Sequence, residues 1–286
     1  MGNCVIDNSM VPHPRQCRMA MGIGRESISV IIADALQEPG SRLLCRNIDL
    51  PFDAQGGHSE LPAISVVENA VYDNPALLAD YDMISVSVDS GLWSVVPKES
   101  VAADMDEAVT IASLPEEKTK STVALRCPVT GTDTVIVSLL PADIVGFLQR
   151  TFNNPVITHP LQQLASHFVK TARLTKEPVL HIHFRTGKTM YIIVFAGNSL
   201  KLANMFSYHD PMDAVYYILA SVAALGMSPS DVQLRLSGEP GSRRELVPLV
   251  SPYVESAVAA TFPASLLREG TQALNAPLEL TSLLCE

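Results

Sequence analysis

Paired cysteines are missing from this chain. Its five cysteines, Cys4, Cys17, Cys45, Cys127 and Cys285, are odd in number and scattered. No C-x-x-C spacing occurs, which excludes a zinc ribbon or a thioredoxin-type dithiol and leaves reduced thiols in a cytoplasmic protein as the expectation. Long apolar runs are missing too. The first residues carry no secretory signal, and no segment reaches the length that spans a bilayer. Met1-Gly2 opens like a myristoylation signal, but Ile6 stands where Ser or Thr is required. Positive charge is scarce, with 20 Lys and Arg against 30 Asp and Glu and a formal net charge of −10. Such a surface repels a phosphate backbone. The close basic groupings, Arg15/Arg18, Lys118/Lys120 and Arg243/Arg244, make no stripe with interleaved aromatics. The expectation is no nucleic acid, no membrane insertion, a protein partner, and room for a homo-oligomer. No G-x-S-x-G elbow and no H-E-x-x-H helix is present, so neither hydrolase signature applies.

What is there is a large apolar fraction. Hydrophobic residues make up 47% of 286 and charged residues 17%, enough core for one large or two modest domains. Residues 1–16, with Pro12 and Pro14, show little periodicity and read as a loose leader. Three strand-like runs follow, Cys17–Ile23, Ser27–Leu36 and Arg42–Pro51, separated by turns at Gly24-Arg25-Glu26 and Glu38-Pro39-Gly40-Ser41. A helix begins at Ser59 or Glu60, with Ile64, Val67, Ala70 and Val71 at helical spacing, and Asn74-Pro75 breaks it. Strands are expected at Met83–Val88 and Leu92–Val96, and a hairpin at Thr122–Thr130 and Thr134–Leu140. Helix 142–152, strand 156–158 and helix 161–172 come next.

The order then repeats. Strands Val179–Phe184, Thr189–Ala196 and Ser199–Tyr208 precede a helix with Asp210 as N-cap, Pro211 at its first position and Gly226 at its end. Met212, Val215, Tyr216, Leu219, Val222 and Ala223 are expected on its buried face. Strand Val232–Leu236, helix Glu245–Tyr253 and strand Val254–Phe262 complete the second half.

Local motifs are weaker. HFRTGKTM, residues 183–190, ends like a phosphate-binding P-loop, but Ile182 takes the first-glycine position and a strand follows instead of a helix. His181 and His183 share one strand face and, with His209, have the residue types of a zinc site; partly exposed strand histidines are the simpler reading. Asp104-Met105-Asp106-Glu107 reads as a solvated loop or helix start. Trp93, the sole Trp, suits hairpin packing or a partner contact, and Arg243/Arg244 suit a solvated helix start.

The doubled β-β-β-α-β order resembles the actin-like ATPase superfamily of actin, heat-shock chaperones and sugar kinases. The run LHIHFRTGKTMYIIVFAGNSL resembles that superfamily's second phosphate hairpin, D-x-G-x-G-x-T, with Gly187, Thr189 and Gly197 at matching positions. RLSGEPG resembles the adenosine motif, a strand ending in Ser/Thr-Gly-Gly, and RTFNNPVITHPLQQLASHF resembles the link between the two domains. From about residue 17 onward the chain also resembles an uncharacterised bacterial family with this fold. The resemblance implies an α/β, actin-like (ribonuclease H-like) fold of two lobes with mixed sheets flanked by helices. It implies a first lobe at 17–172, a second at 173–262, and a tail at 263–286 packing back on the first.

The resemblance also implies a nucleotide cleft from Gly22, Gly24, Arg185, Gly187, Lys188, Thr189, Ser237 and Gly238. The departures count against a working one. His183 stands at the hairpin carboxylate, Arg185 at its first glycine, and Glu239 at the second adenosine-motif glycine. Met21-Gly22-Ile23-Gly24 lacks the matching Asp. Magnesium wants hard oxygen ligands, and backbone N–H groups reach phosphate only past glycine. The expectation is a non-catalytic binding or scaffold protein with no cofactor, ATP with magnesium being disfavoured. The alternative is a nucleotide- or phosphate-binding enzyme using Arg185, Lys188 and Thr189.

Overall fold

The computed structural model describes residues 5–34, 36–37, 43–51, 61–98, 121–174, 177–260 and 276–283. The turn at 38–41, the helix start at Ser59 or Glu60, the acidic run 104–107, Lys118/Lys120, Cys4 and Cys285 lie outside the described residues. The chain divides into two compact units. Unit 1 is Met1–Pro128, Val135–Gln163 and Pro263–Glu286; unit 2 is Val129–Thr134 and Leu164–Phe262.

Unit 1 opens with β1 (Cys17–Ile23), β2 (Ser27–Asp34) and β3 (Leu43–Asp49). Helix α1 (Ile64–Tyr72) leads to β4 (Met83–Val88), and a small sheet follows from β5 (Trp93–Pro97), β6 (Thr122–Pro128) and β7 (Thr134–Pro141). Helix α2 (Ala142–Thr151), β8 (Val156–Thr158) and α3 (Pro160–Ala172) complete the run, the chain leaving unit 1 within α3. The main sheet has the order β3-β2-β1-β4-β8. β1 is antiparallel to β2 and parallel to β4, and β4 is parallel to β8.

Period-two alternation sends Met19, Met21 and Ile23 of β1 to one face with Ile28, Val30 and Ile32 of β2. Val67 and Val71 of α1 and Ile144, Phe147 and Leu148 of α2 close over them. Each such side chain, fully buried, contributes about 1.5–3 kcal/mol.

The described part of the expected leader is not loose. Ile6 and Val11 are buried in this core. The Ile6 N–H donates to Asn74 Oδ1 at 2.8 Å, and the Ala76 N–H donates to the Ile6 carbonyl. Its two single 3-10 turns, Asn8–Met10 and Pro14–Gln16, have no sustained period, so no pattern announced them. Arg15 and Arg18 sit in ion pairs with Asp80 and Asp82.

Unit 2 repeats the plan. β9 (Val179–Arg185), β10 (Thr189–Ala196) and β11 (Ser199–Ser207) are antiparallel neighbours. Helix α4 (Pro211–Ala224), β12 (Gln233–Gly238), α5 (Pro240–Val250) and β13 (Ser256–Ala259) follow. The order β11-β10-β9-β12-β13, with β9, β12 and β13 parallel, is that of unit 1: third, second, first, fourth, fifth.

Asp210 caps α4 as expected, its carboxylate accepting from the Met212 N–H while Asp213 accepts from the Asp210 N–H. The buried face holds Val215 and Val222 as expected and otherwise differs. Ala214, Val215, Ile218, Ser221 and Val222 face the sheet, whereas Met212 and Tyr216 are exposed. The helix is apolar almost all round, so composition could not choose the stripe. Helix α5 starts at Pro240, not Glu245. In unit 1, α6 (Leu278–Leu283) packs against β1.

Candidate functional site

The residues expected to meet a nucleotide fall in two hairpins and one strand end. In unit 1, the Gly24 N–H closes the β1–β2 turn on the Ser27 carbonyl at 3.0 Å. Gly22 lies within β1, and a β-carbon there would meet both Cδ atoms of Leu280, from α6, at 3.2 Å. Its lack of a side chain is accounted for by the seat of α6.

In unit 2, Arg185 and Thr189 pair across the β9–β10 hairpin, which turns through Thr186, Gly187 and Lys188. Gly187 (φ +72°) and Lys188 (φ +53°) both take the left-handed conformation that tight turns need. Lys188 does not project freely: its Nζ donates to the His209 carbonyl at 2.7 Å. The guanidinium carbon of Arg185 stands 5.2 Å from the Tyr191 ring centre, and Nη1 reaches Met205 Sδ at 3.2 Å. Thr189 Oγ1 donates to the Thr186 carbonyl at 3.3 Å. Because Thr189–Ala196 is a strand, the P-loop reading has no helix to rest on.

β12 ends beside this hairpin, with Ser237 in register with His183 and Gly238 with Phe184. Thus Arg185, Gly187, Lys188, Thr189, Ser237 and Gly238 gather at one end of β9 and β12. His183 Nδ1 and Ser237 Oγ are 2.9 Å apart, so the residue at the expected carboxylate position is tied to the strand next door. Gly238 (φ +83°) leaves room for the Phe184 carbonyl, which accepts from the Glu239 N–H at 3.0 Å.

Glu239 itself is the residue whose role the sequence hid. Its carboxylate accepts from the Gly241 N–H at 2.8 Å and from the Ser242 N–H, capping α5. The Ser242 N–H most strongly holds the carboxyl below its ordinary range; burial opposes it, and the Gly241 N–H and the Arg244 charge add to the lowering. Pro240 follows the cap at the first helical position, where its missing N–H costs nothing.

On the face of β9 shared with His183, His181 is 1% exposed and stacks on Phe168 of α3, with ring centres 4.1 Å apart. Neither ring nitrogen has a hydrogen-bond partner among the described residues. Burial, with the charges of His167 and Arg235, pushes its pKa down to about 3. The strand histidine expected to be partly exposed is therefore a buried neutral one. The imagined zinc ligands go separate ways, His209 lying at the start of α4. Among the described residues no group of three or more His, Cys, Asp or Glu is placed to hold a metal ion. Trp93 lies 6.1 Å from His159, ring to ring, in unit 1.

Magnesium nucleotide, which this kind of fold implies, fits these residues poorly. Glu239 fills the N-terminus of α5 with the chain's own anion, and His183 supplies no hard ligand.

Strand order and comparison agree on the class. A protein of unknown function from Bacteroides thetaiotaomicron VPI-5482 with an actin-like ATPase fold is similar to this chain at a TM-score of 0.79 and 14% identity. The match covers 99% of this chain and 100% of that one. The protein thus has an actin-like ATPase fold, α/β with two sheet-based units. Residues 8–256 match the family described as protein of unknown function (DUF3822), and the chain belongs to that family. The PilM–PilN type IV pilus biogenesis complex also matches at TM-score 0.49 and 14% identity, covering 94% of this chain and 99% of that one. The cytoplasmic domain of EpsL from Vibrio cholerae matches at TM-score 0.45 and 7% identity, covering 90% and 94%. No functionally curated protein matches.

Proposed function

We propose that this chain is a non-catalytic binding or scaffold protein, built on an actin-like fold whose nucleotide site is degenerate. The observation that carries this reading is Glu239. A working site needs its backbone N–H groups free to meet phosphate. Here the Gly241 and Ser242 N–H groups are taken by a carboxylate two and three residues upstream. A ligand phosphate would have to displace that cap against like charge. Arg185 supports the same reading, since its guanidinium lies on Tyr191 and Met205. The reading takes the chain as cytoplasmic, with protein as its partner. No described helix is long and apolar enough to cross a membrane.

The test is thermal stability of the pure chain with millimolar ATP, ADP or a phosphosugar, each with magnesium. A ligand that prefers the native state raises the melting temperature. The expected result is no shift, and no ATP hydrolysis above buffer. A magnesium-dependent ATPase rate that disappears in Arg185→Ala would overturn the proposal.

A further inference from the structure

Unit 2 carries a groove of about 450 Å3 between α5 and β13. Ala257, Val258 and Ala259 all line it. Successive strand residues point to opposite faces of a sheet, so a groove touching three in a row follows the strand's edge. Among the described residues β13 pairs only with β12, and Val258 is 42% exposed. Among the described residues that is an edge strand, the kind of template that accepts another strand. Leu236 and Val247 extend the apolar lining.

The α5 wall is different in kind. Arg243 and Arg244 both line the groove, and neither is in an ion pair among the described residues. Arg244 Nε donates to the Pro240 carbonyl at 3.3 Å. Arg243 Nε is buried and has no hydrogen-bond partner among the described residues. A buried donor left unpaired is costly, and a carboxylate is the group whose geometry best matches a guanidinium. Arg244 also acts on Glu239 at the start of α5, helping to hold its carboxyl down, so Arg243 is the donor left for a ligand.

We propose that this groove docks an extended acidic and apolar segment of a partner protein. The segment lies along β13 as an added strand, sets alternate apolar side chains on Val258 and Val247, and turns a carboxylate to Arg243. Main-chain pairing supplies affinity in such docking, and alternate side chains supply specificity. The proposal rests on the reading of the chain as a binding protein, and goes beyond it by naming the surface and the partner's chemistry.

The test is selection of random twelve-residue peptides displayed on phage against the full chain. Binding of the most enriched peptide is then measured by fluorescence anisotropy. Two variants are compared with the parent, Arg243→Glu and the exposed change Val258→Lys. Circular dichroism and melting verify that each is folded. The expected result is enrichment of sequences alternating Asp or Glu with apolar residues, with binding about tenfold weaker or worse in each folded variant and weaker again at high salt. No enrichment, enrichment without acidic residues, or binding unchanged in both variants overturns the proposal. Self-association of the parent that disappears in the variants also overturns it, by making a second copy of the chain the occupant. Stabilisation by magnesium nucleotide with peptide binding intact would instead refute the proposed non-catalytic role and leave the groove standing.

Discussion

A β-carbon placed on Gly238 would lie 1.9 Å from the carbonyl oxygen of Phe184. No side-chain rotation can relieve that contact, because the obstacle is backbone. Gly238→Ala should therefore destabilise the chain by more than about 2 kcal/mol, from the clash together with its positive φ. Urea denaturation checks this, and the loss should be the same with and without nucleotide. A change that left stability intact and altered only ligand binding would return Gly238 to a phosphate role.

Gly22 makes the same point more gently. The atoms it would meet belong to the flexible end of Leu280, so the neighbour can yield in part. Gly22→Val is expected to cost about 1–3 kcal/mol by overpacking. In a double-mutant cycle with Leu280→Ala, the two losses should add up to more than the double variant shows. Simple additivity would mean that α6 is not what requires a glycine there.

Acid should weaken the fold in a defined window. His159 is fully buried, with Nδ1 accepting from the Leu161 N–H and Nε2 facing the Ser90 carbonyl, so the neutral ring satisfies both. Burial, the larger effect, pushes its pKa down to about 4 despite that carbonyl, and His181 is pushed down to about 3. Unfolding returns each to about 6.5. Below that pH the unfolded chain takes up protons that the fold refuses. Stability is therefore full above pH 6.5 and falls on acidification towards pH 4, by about 1.4 kcal/mol per pH unit for each histidine. Urea midpoints at pH 7, 6 and 5 measure the slope. His181→Phe should keep the stack on Phe168, hold or raise stability at pH 7, and remove one histidine's share of the slope.

The Glu239 cap works in the opposite charge state. Glu239→Ala should cost about 1 kcal/mol at neutral pH, as lost N-caps do. The folded pKa lies below the ordinary 4.5, so the stabilisation is present above that value and is lost as pH falls through the folded one. The difference between parent and variant should accordingly shrink at acid pH. An equal difference at pH 7 and pH 3 would show that the carboxylate is not the source.

The fold was legible where period and punctuation agreed. Cys17–Ile23 and Val156–Thr158 end where the sequence placed them, and Asp210-Pro211 marked α4 to the residue. The doubled strand order followed from those elements. Lateral choices were not legible. Nothing local says that Ile218 of α4 faces the sheet while Tyr216 does not, because both lie in a helix with few polar residues. The candidate site suffered from a related blindness. In the sequence Gly22 and Gly238 resemble openings for phosphate, but Leu280 and the Phe184 carbonyl occupy the space beside them. Those partners are distant in sequence, and only the folded chain brings them near. Glu239 was legible as negative charge. That the charge is spent on two backbone N–H groups was not.

The anchoring of Ile6 to Asn74 has a practical consequence for anyone trimming this molecule. A cut placed by strand logic, just before Cys17, would strip two hydrophobic plugs from the core. It would also strand a buried amide oxygen without its donor. The cooperative unit begins upstream of its first strand, and shortened versions that ignore this should melt earlier and aggregate more readily than the longer chain.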